Sequence, residues 1–89
     1  MENSNFIWLN GEFVDWDKAN VSVMSHTLHY GTGVFEGIRA RECQDGTYIF
    51  RLEDHVNRLF NSADAYHLDI PYSKEEISEA IKQSVSKNE

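Results

Sequence analysis

The chain has 89 residues, a length that allows at most one domain with a core of modest size. Its composition, 40% hydrophobic, 12% aromatic and 26% charged, is typical of a soluble globular protein. The formal net charge of −7, without a basic stripe along the sequence, disfavours nucleic acid and anionic membrane surfaces as partners.

The sequence favours a cytoplasmic location. Its longest apolar runs are only a few residues, too short to span a bilayer, so no membrane association is predicted. The first residues, Met1–Asn5, have neither the basic nor the apolar region of a signal peptide. The single cysteine, Cys43, cannot form an internal disulfide, which agrees with a reducing compartment.

The first predicted element is a β-hairpin. Phe6–Leu9 and Glu12–Trp16 flank an Asn-Gly pair, the strongest short-range signal for a two-residue hairpin turn. Further along, the alternation in Val21–Met24 predicts a short strand. Ser25–Tyr30 predicts a loop or a single helical turn.

A second pair of strands and two helices follow. Val34–Arg41 and Thr47–Arg51 are predicted to pair through a turn at Gln44–Gly46. From Leu52 onward the apolar residues have a helical period, and their stripe is Leu52, Val56, Leu59, Phe60, Ala63 and Tyr66.

The last helix is predicted to begin after Pro71, because Ser73 and Glu76 have the spacing of a capping box. It would bury Ile77, Ala80, Ile81 and Val85. Strands followed by helices predict an α+β fold over residues 1–89, a mostly antiparallel sheet with two helices packed on one face.

The eleven residues from His29 to Arg39 indicate a small-molecule pocket. They hold three glycines, two aromatics, a carboxylate and an arginine, a mixture that a core segment does not need. Strand alternation puts Phe35, Gly37 and Arg39 on one face and the residues between them on the other. That face suits an anionic substrate with an apolar body. On spacing alone, a solvent-facing arginine at a sheet edge is an equally good reading.

Other candidate sites are weak. The glycine spacing and the strand that follows do not fit a dinucleotide-binding loop, which precedes a helix. His26 and His29 are only a pair, so no metal site is predicted. Cys43 lies in a polar turn, and no Ser-His-Asp arrangement is evident. Arg58 lies off its helix's apolar stripe, as a solvated arginine or a phosphate contact would, and Tyr30 could be a core tyrosine.

Several segments resemble the N-terminal part of the branched-chain amino acid aminotransferases, class-IV (fold type IV) pyridoxal-phosphate enzymes. The matching residues are Ile7–Glu12, Met24–Arg39, Ile49–Leu52, His55, Arg58-Leu59 and Ser62-Ala63. The likeness extends from Phe6 to about Pro71. The block Phe35–Arg39 is typical of the branched-chain subgroup, whereas D-amino acid aminotransferases and aminodeoxychorismate lyases typically lack it.

The resemblance implies a cofactor, roles for five residues and a homodimer. Arg58 matches the arginine that binds the phosphate of pyridoxal 5'-phosphate. Tyr30, Phe35, Gly37 and Arg39 match substrate-binding positions, with the tyrosine reaching into the neighbouring subunit's site. The small-molecule substrates implied are leucine, isoleucine or valine as amino donor and a 2-oxo acid, 2-oxoglutarate, as acceptor. Ala40-Arg41-Glu42 departs from the usual aromatic after the arginine.

The chain lacks the family's reactive lysine. Family members run to roughly three hundred residues, about two domains, and their Schiff-base lysine lies in the part beyond Glu89. The four lysines here occupy polar loop or helix contexts and are not candidates: Lys18, Lys74, Lys82 and Lys87. We therefore expect an inactive N-terminal small domain with no catalytic residue of its own. A D-amino acid aminotransferase, an aminodeoxychorismate lyase and a non-catalytic interaction module are the alternatives.

Overall fold

A computed structural model of the protein describes residues 5–88. Residues 1–4 and 89 lie outside that range, and with them most of the segment considered above for a signal peptide. The first hairpin pairs β1 (Phe6–Leu9) with β2 (Glu12–Asp15). Its turn residues Asn10 and Gly11 have φ values of 52° and 91°, as a tight hairpin turn requires. The predicted hairpin is confirmed.

The hairpin's second strand stops one residue earlier than predicted, because Trp16 begins a 3₁₀ turn that runs to Lys18. The strand predicted at Val21–Met24 is wrong. There the Ser22 hydroxyl accepts a hydrogen bond from the backbone N–H of Met24, and the Ser22 carbonyl accepts one from Ser25. These bonds close a turn in place of a strand. Ser25–Tyr30, predicted as a loop or a single helical turn, contains the short helix α1 (His26–Tyr30).

The second hairpin is shorter than predicted at both strands. It pairs β3 (Ala40–Cys43) with β4 (Gly46–Ile49), in the register Ala40 to Ile49. Strand β4 ends there because Arg51, at φ 51°, turns the chain into the next helix. The stretch predicted as strand from Val34 to Arg39 therefore has no β4 residues opposite it. At its end, the Arg39 carbonyl accepts a hydrogen bond from the backbone N–H of Phe50, which lies just beyond β4.

Helix α2 (Leu52–Ala65) follows the predicted apolar period. Val56 and Ala63 are buried, and the other stripe residues within the helix are half-buried. Tyr66 is an exception, being 66% exposed. The helix ends before it, and Leu68 N–H bonds back to the Ala63 carbonyl, so Tyr66 leaves the buried side of the helix.

Helix α3 (Lys74–Lys87) begins at the predicted capping box, in which Ser73 and Glu76 exchange side-chain to backbone hydrogen bonds at 3.0 Å. Of its four predicted core residues, Ala80 is buried and the other three are half-buried. Beyond its end, the Asn88 side chain accepts from Phe6 N–H at 2.8 Å and donates to the Phe6 carbonyl at 3.0 Å. This pair of bonds ties the end of α3 to β1.

The predicted α+β class is confirmed. Helix α3 packs against both α2 and β1. Both sheets are antiparallel, as expected, but in the described residues the four strands form two separate hairpins in place of one sheet. Across residues 5–88, no helix combines the length and apolar character that crossing a bilayer requires.

Candidate functional site

The loop after α1 is shaped by two of the three glycines in the predicted pocket segment. Gly31 ends the helix in the left-handed region, at φ 68°, and donates to the Thr27 carbonyl. The Thr27 hydroxyl then donates to the Thr32 carbonyl at 2.6 Å. A Cβ at Gly33 would lie 3.0 Å from the Thr27 methyl carbon. Local structure therefore explains why both positions are occupied by glycine.

Local structure does not explain the third glycine of the segment, Gly37. A Cβ added there would meet no heavy atom within 4 Å, and its φ lies outside the left-handed region. Neither backbone geometry nor packing among the described residues requires a glycine. Its neighbours on the same face are Phe35, which is 89% exposed, and Arg39, also exposed. The predicted sharing of one face by these three residues agrees with this alternation of exposure.

The opposite side of the segment faces the helices. Glu36 and Ile38 are half-buried residues, and together with residues of β1, α2 and α3 they line an open groove of about 540 Å³. This groove is largely apolar, and Glu36 is among the residues that line it. The segment thus has an exposed face and a face that contacts the rest of the fold.

The Glu36 carboxylate is held by two side chains of α2. Arg58 donates from Nε to Glu36 Oε2 and from Nη2 to Oε1, both at 2.7 Å. His55 Nδ1 donates to the same Oε1 at 2.8 Å. His55 and Arg58 are three residues apart and therefore neighbours on one face of the helix. The side chain of Glu36 is only 8% exposed, so this carboxylate is nearly enclosed by its partners.

This arrangement keeps Glu36 ionised. The hydrogen bonds from Arg58 and then from His55 lower the pKa of the Glu36 carboxyl to about 2, against the opposing effect of desolvation. The same hydrogen bond raises the pKa of the Arg58 guanidinium, so its positive charge is secure. An ionised carboxylate accepts hydrogen bonds only, so His55 carries its proton on Nδ1 in this contact.

Arg58 keeps hydrogen-bonding capacity beyond this ion pair. A guanidinium has five N–H groups, and the bonds to Glu36 use one on Nε and one on Nη2. Those that remain, two of them on Nη1, lie on the edge away from Glu36. The Arg58 side chain is 66% exposed and is therefore accessible to a ligand. An arginine edge of this kind suits a phosphate.

Tyr30 lies at the end of α1 with its ring centroid 4.6 Å from that of His26. It is 73% exposed and so is not a core tyrosine. In the sequence around it, further apolar side chains are also exposed: Val21, Val23, Met24 and Leu28.

Each of the four lysines is exposed. Lys18 lies 3.6 Å from an Asp15 carboxylate oxygen, and Lys74 lies over the ring of Phe60. All four are therefore in contact with solvent, unlike a lysine that is desolvated for covalent chemistry. Among residues 5–88, no group of three or more His, Cys, Asp or Glu side chains could hold a metal ion.

Sequence reasoning missed the link between Glu36 and α2. It placed Glu36 on the far face from Phe35 and Arg58 off the apolar stripe of its helix, but did not connect them. The available signal was charge: an acidic residue on the inward face of an extended segment, and two basic residues at helical spacing. Only the packing of that segment against α2 showed that they meet.

The fold and this site define the class of protein. The sequence model of the amino-transferase class IV family matches residues 33–89, more than half of the chain. The chain belongs to the amino-transferase class IV family, and the resemblance noted in its sequence is confirmed.

Individual relatives within the family share a more specific name. The chain is 49% identical over 87 residues to a branched-chain-amino-acid aminotransferase of Pseudomonas aeruginosa and 45% identical to that of Escherichia coli K12. Each match includes 98% of this chain and 28% of the relative. The chain therefore spans little more than a quarter of the length of these relatives.

The chain is also similar to solved structures of branched-chain amino acid aminotransferases. The crystal structure of the T.th. branched-chain amino acid aminotransferase with 4-methylvaleric acid superposes with a TM-score of 0.95 at 51% identity, covering 99% of this chain and 30% of that one. The same enzyme complexed with N-(5'-phosphopyridoxyl)-L-glutamate gives a TM-score of 0.93 at 53% identity, covering 96% and 28%.

Proposed function

We propose that the chain is the N-terminal small domain of a pyridoxal-phosphate-dependent branched-chain amino acid aminotransferase. In this proposal the complete enzyme transfers the amino group of leucine, isoleucine or valine to 2-oxoglutarate. The names of the relatives and their 45–49% identity support this assignment. The observation that carries it is the Arg58 guanidinium, paired with Glu36 along one edge and open along the other.

The described residues fit the phosphate of the cofactor. Arg58 would bind it through the N–H groups on its open edge, as a charge-assisted contact. When bound, pyridoxal phosphate supplies an electron sink for negative charge at the substrate's α-carbon. The lysine that holds the cofactor and moves the proton would come from outside this chain, because all four lysines here are exposed.

The substrate would lie against the exposed face of the segment after α1. Phe35 offers an aromatic surface for an apolar side chain, and Arg39 offers a cation for a carboxylate. Gly37 lies between them without a side chain, which leaves room for close approach from outside. One cavity must accept a branched aliphatic group and, in the second half-reaction, the side-chain carboxylate of glutamate. This pairing of an aromatic with a cation suits both.

A homodimer in the cytoplasm is part of the same proposal. Val23, Met24, Leu28 and Tyr30 are between 60% and 77% exposed. Several exposed apolar side chains within one short segment favour a protein interface, and Tyr30 would there reach the neighbouring subunit's site. Light scattering on the complete enzyme checks the assembly: a dimer is expected, and a monomer would contradict it.

Cofactor affinity tests the role of Arg58. In the complete apoenzyme, Arg58→Met should weaken pyridoxal phosphate binding about 10- to 150-fold, the equivalent of losing one or more hydrogen bonds between charged groups. Arg41→Met, an exposed arginine of β3, is the matched control and should leave the affinity unchanged. Unchanged affinity in Arg58→Met would refute the proposed role.

Substrate profiling separates this function from its alternatives. The complete enzyme should transaminate leucine with 2-oxoglutarate. Preference for D-alanine, or release of pyruvate from aminodeoxychorismate, would replace the branched-chain assignment by one of the related reactions. The coding sequence tests the domain assignment: a reading frame that continues beyond Glu89 into a segment with a buried lysine supports it, and a stop codon there favours a non-catalytic module.

A further inference from the structure

The exposed Arg58 side chain needs a support if it is to present one edge to a ligand. Arginine has a long, flexible side chain, and burial does not restrain this one, since 66% of it is exposed. The contacts that define its orientation are the two parallel hydrogen bonds to Glu36, at 2.7 Å each. A two-point contact of this type sets the plane of the guanidinium as well as its position.

Glu36 is itself firmly held. Its side chain is 8% exposed, and His55 Nδ1 bonds to the oxygen that Arg58 Nη2 also contacts. One carboxylate thus receives three hydrogen bonds from two residues on the same face of α2. Held groups of this kind, placed behind a ligand-binding side chain, orient it and preserve its geometry.

The charge of Glu36 opposes phosphate binding. A carboxylate beside Arg58 offsets part of the positive charge that attracts an anion. Orientation and charge neutralisation therefore predict opposite results when Glu36 loses its charge and one of its two acceptor oxygens. If orientation dominates, phosphate affinity falls. If neutralisation dominates, phosphate affinity rises.

We propose that Glu36 is a positioning residue, which holds the Arg58 guanidinium so that its open edge meets the dianionic phosphate of the cofactor. This inference rests on the proposed function, because it requires that Arg58 bind that phosphate. His55 contributes by supporting the carboxylate from the same helix face. Glu36 itself contacts neither the phosphate nor the substrate in this proposal.

The test compares pyridoxal phosphate with pyridoxal, which lacks the phosphate, as ligands of the complete apoenzyme. The dissociation constant of pyridoxal divided by that of pyridoxal phosphate isolates the contribution of the phosphate, and a fall in this ratio means weaker phosphate binding. In Glu36→Gln this ratio should fall about tenfold, while pyridoxal affinity stays unchanged. General structural damage would weaken the binding of both ligands and leave the ratio unchanged. Glu42→Gln, an exposed glutamate of β3, is the matched control and should change neither constant.

A second variant separates orientation from charge, and it also serves if Glu36→Gln does not fold. Glu36→Asp keeps the charge but is one methylene shorter, so it cannot make both bonds to Arg58 with the same geometry. Positioning predicts a lowered ratio in this variant as well. A wild-type ratio in Glu36→Asp, or a raised ratio in Glu36→Gln, would overturn the proposal.

Arg58→Met distinguishes failure of this inference from failure of the proposed function. If Arg58→Met leaves the ratio unchanged, the proposed phosphate contact is wrong. If Arg58→Met lowers the ratio and both Glu36 variants do not, only the positioning role is wrong. When Glu36 acts through Arg58, adding Glu36→Gln to Arg58→Met should produce no further change. An additional loss in that double variant would mean that Glu36 acts by another route.

Discussion

Alanine substitutions at Gly31 and Gly37 give the sharpest test of how the pocket segment is built. Both glycines are exposed, and a Cβ at either position would meet no heavy atom within 4 Å. They differ in backbone geometry, because Gly31 lies at φ 68° and Gly37 lies outside the left-handed region. The same substitution should therefore introduce backbone strain at Gly31 and none at Gly37.

The expected effects follow from two contributions. An alanine in the left-handed conformation costs about 1–2 kcal/mol. Replacing glycine by alanine also restricts the unfolded chain, which stabilises the folded state by about 0.4–1 kcal/mol at an unstrained position. Gly37→Ala should therefore raise the free energy of unfolding by about 0.5 kcal/mol. Gly31→Ala should lower it by about 0.5–1.5 kcal/mol, which is the strain reduced by the same gain of about 0.5 kcal/mol.

The difference between the two variants is the most informative quantity, because the unfolded-state contribution cancels. It should equal the strain alone, about 1–2 kcal/mol, or roughly a 5- to 30-fold change in the ratio of folded to unfolded protein. Chemical denaturation followed by circular dichroism measures both free energies in one protein background. Equal effects at the two positions would refute the argument from backbone geometry. In the complete enzyme, Gly37→Ala should in addition raise the KM for leucine, since its methyl group enters the proposed substrate face.

Three further predictions concern stability. As the pH falls from 4.5 to about 2, the stabilisation from Glu36 should be lost, because its folded-state pKa is depressed while the unfolded carboxyl keeps its ordinary value; acid titration of Glu36→Gln should lack that component, and an identical acid profile would contradict it. Ser73→Ala removes the capping hydroxyl of α3 and should cost about 1 kcal/mol in urea denaturation, whereas no loss would show that the cap is dispensable. Val56→Ala empties a site that is 2% exposed and should cost about 2–3 kcal/mol, while Val23→Ala, at a position 77% exposed, should stay within about 0.5 kcal/mol; similar values for the two would contradict the assigned core.

Local patterns in the sequence correctly predicted those elements whose causes are local. The Asn-Gly turn needs two residues with positive φ, and these two residue types adopt it readily. The capping box at Ser73 depends on residues three apart, and the stripe of α2 depends on a period within one helix. The resemblance between residues 24–39 and the aminotransferases was likewise carried by adjacent residues.

Two of the wrong predictions concern pairing between distant segments, whereas the strand predicted at Val21–Met24 is replaced by a local turn at Ser22. Alternation in residues 34–39 correctly indicated which side chains face inward. A strand also needs a partner, however, and β4 is too short to pair with these residues because Arg51 turns the chain into α2. The separation of the four strands into two hairpins was equally invisible in any local pattern.

The sequence by itself determined the Asn-Gly turn, the capping box of α3, the helical faces and the family, because each depends on residues within a few positions of one another. Only the tertiary structure decided that Glu36 meets His55 and Arg58, which follow it by 19 and 22 residues. Charge alone does not choose partners among fifteen acidic residues, eight lysines and arginines, and four histidines. The packing of the extended segment against α2 makes that choice, because it brings the Glu36 carboxylate within hydrogen-bond distance of His55 and Arg58.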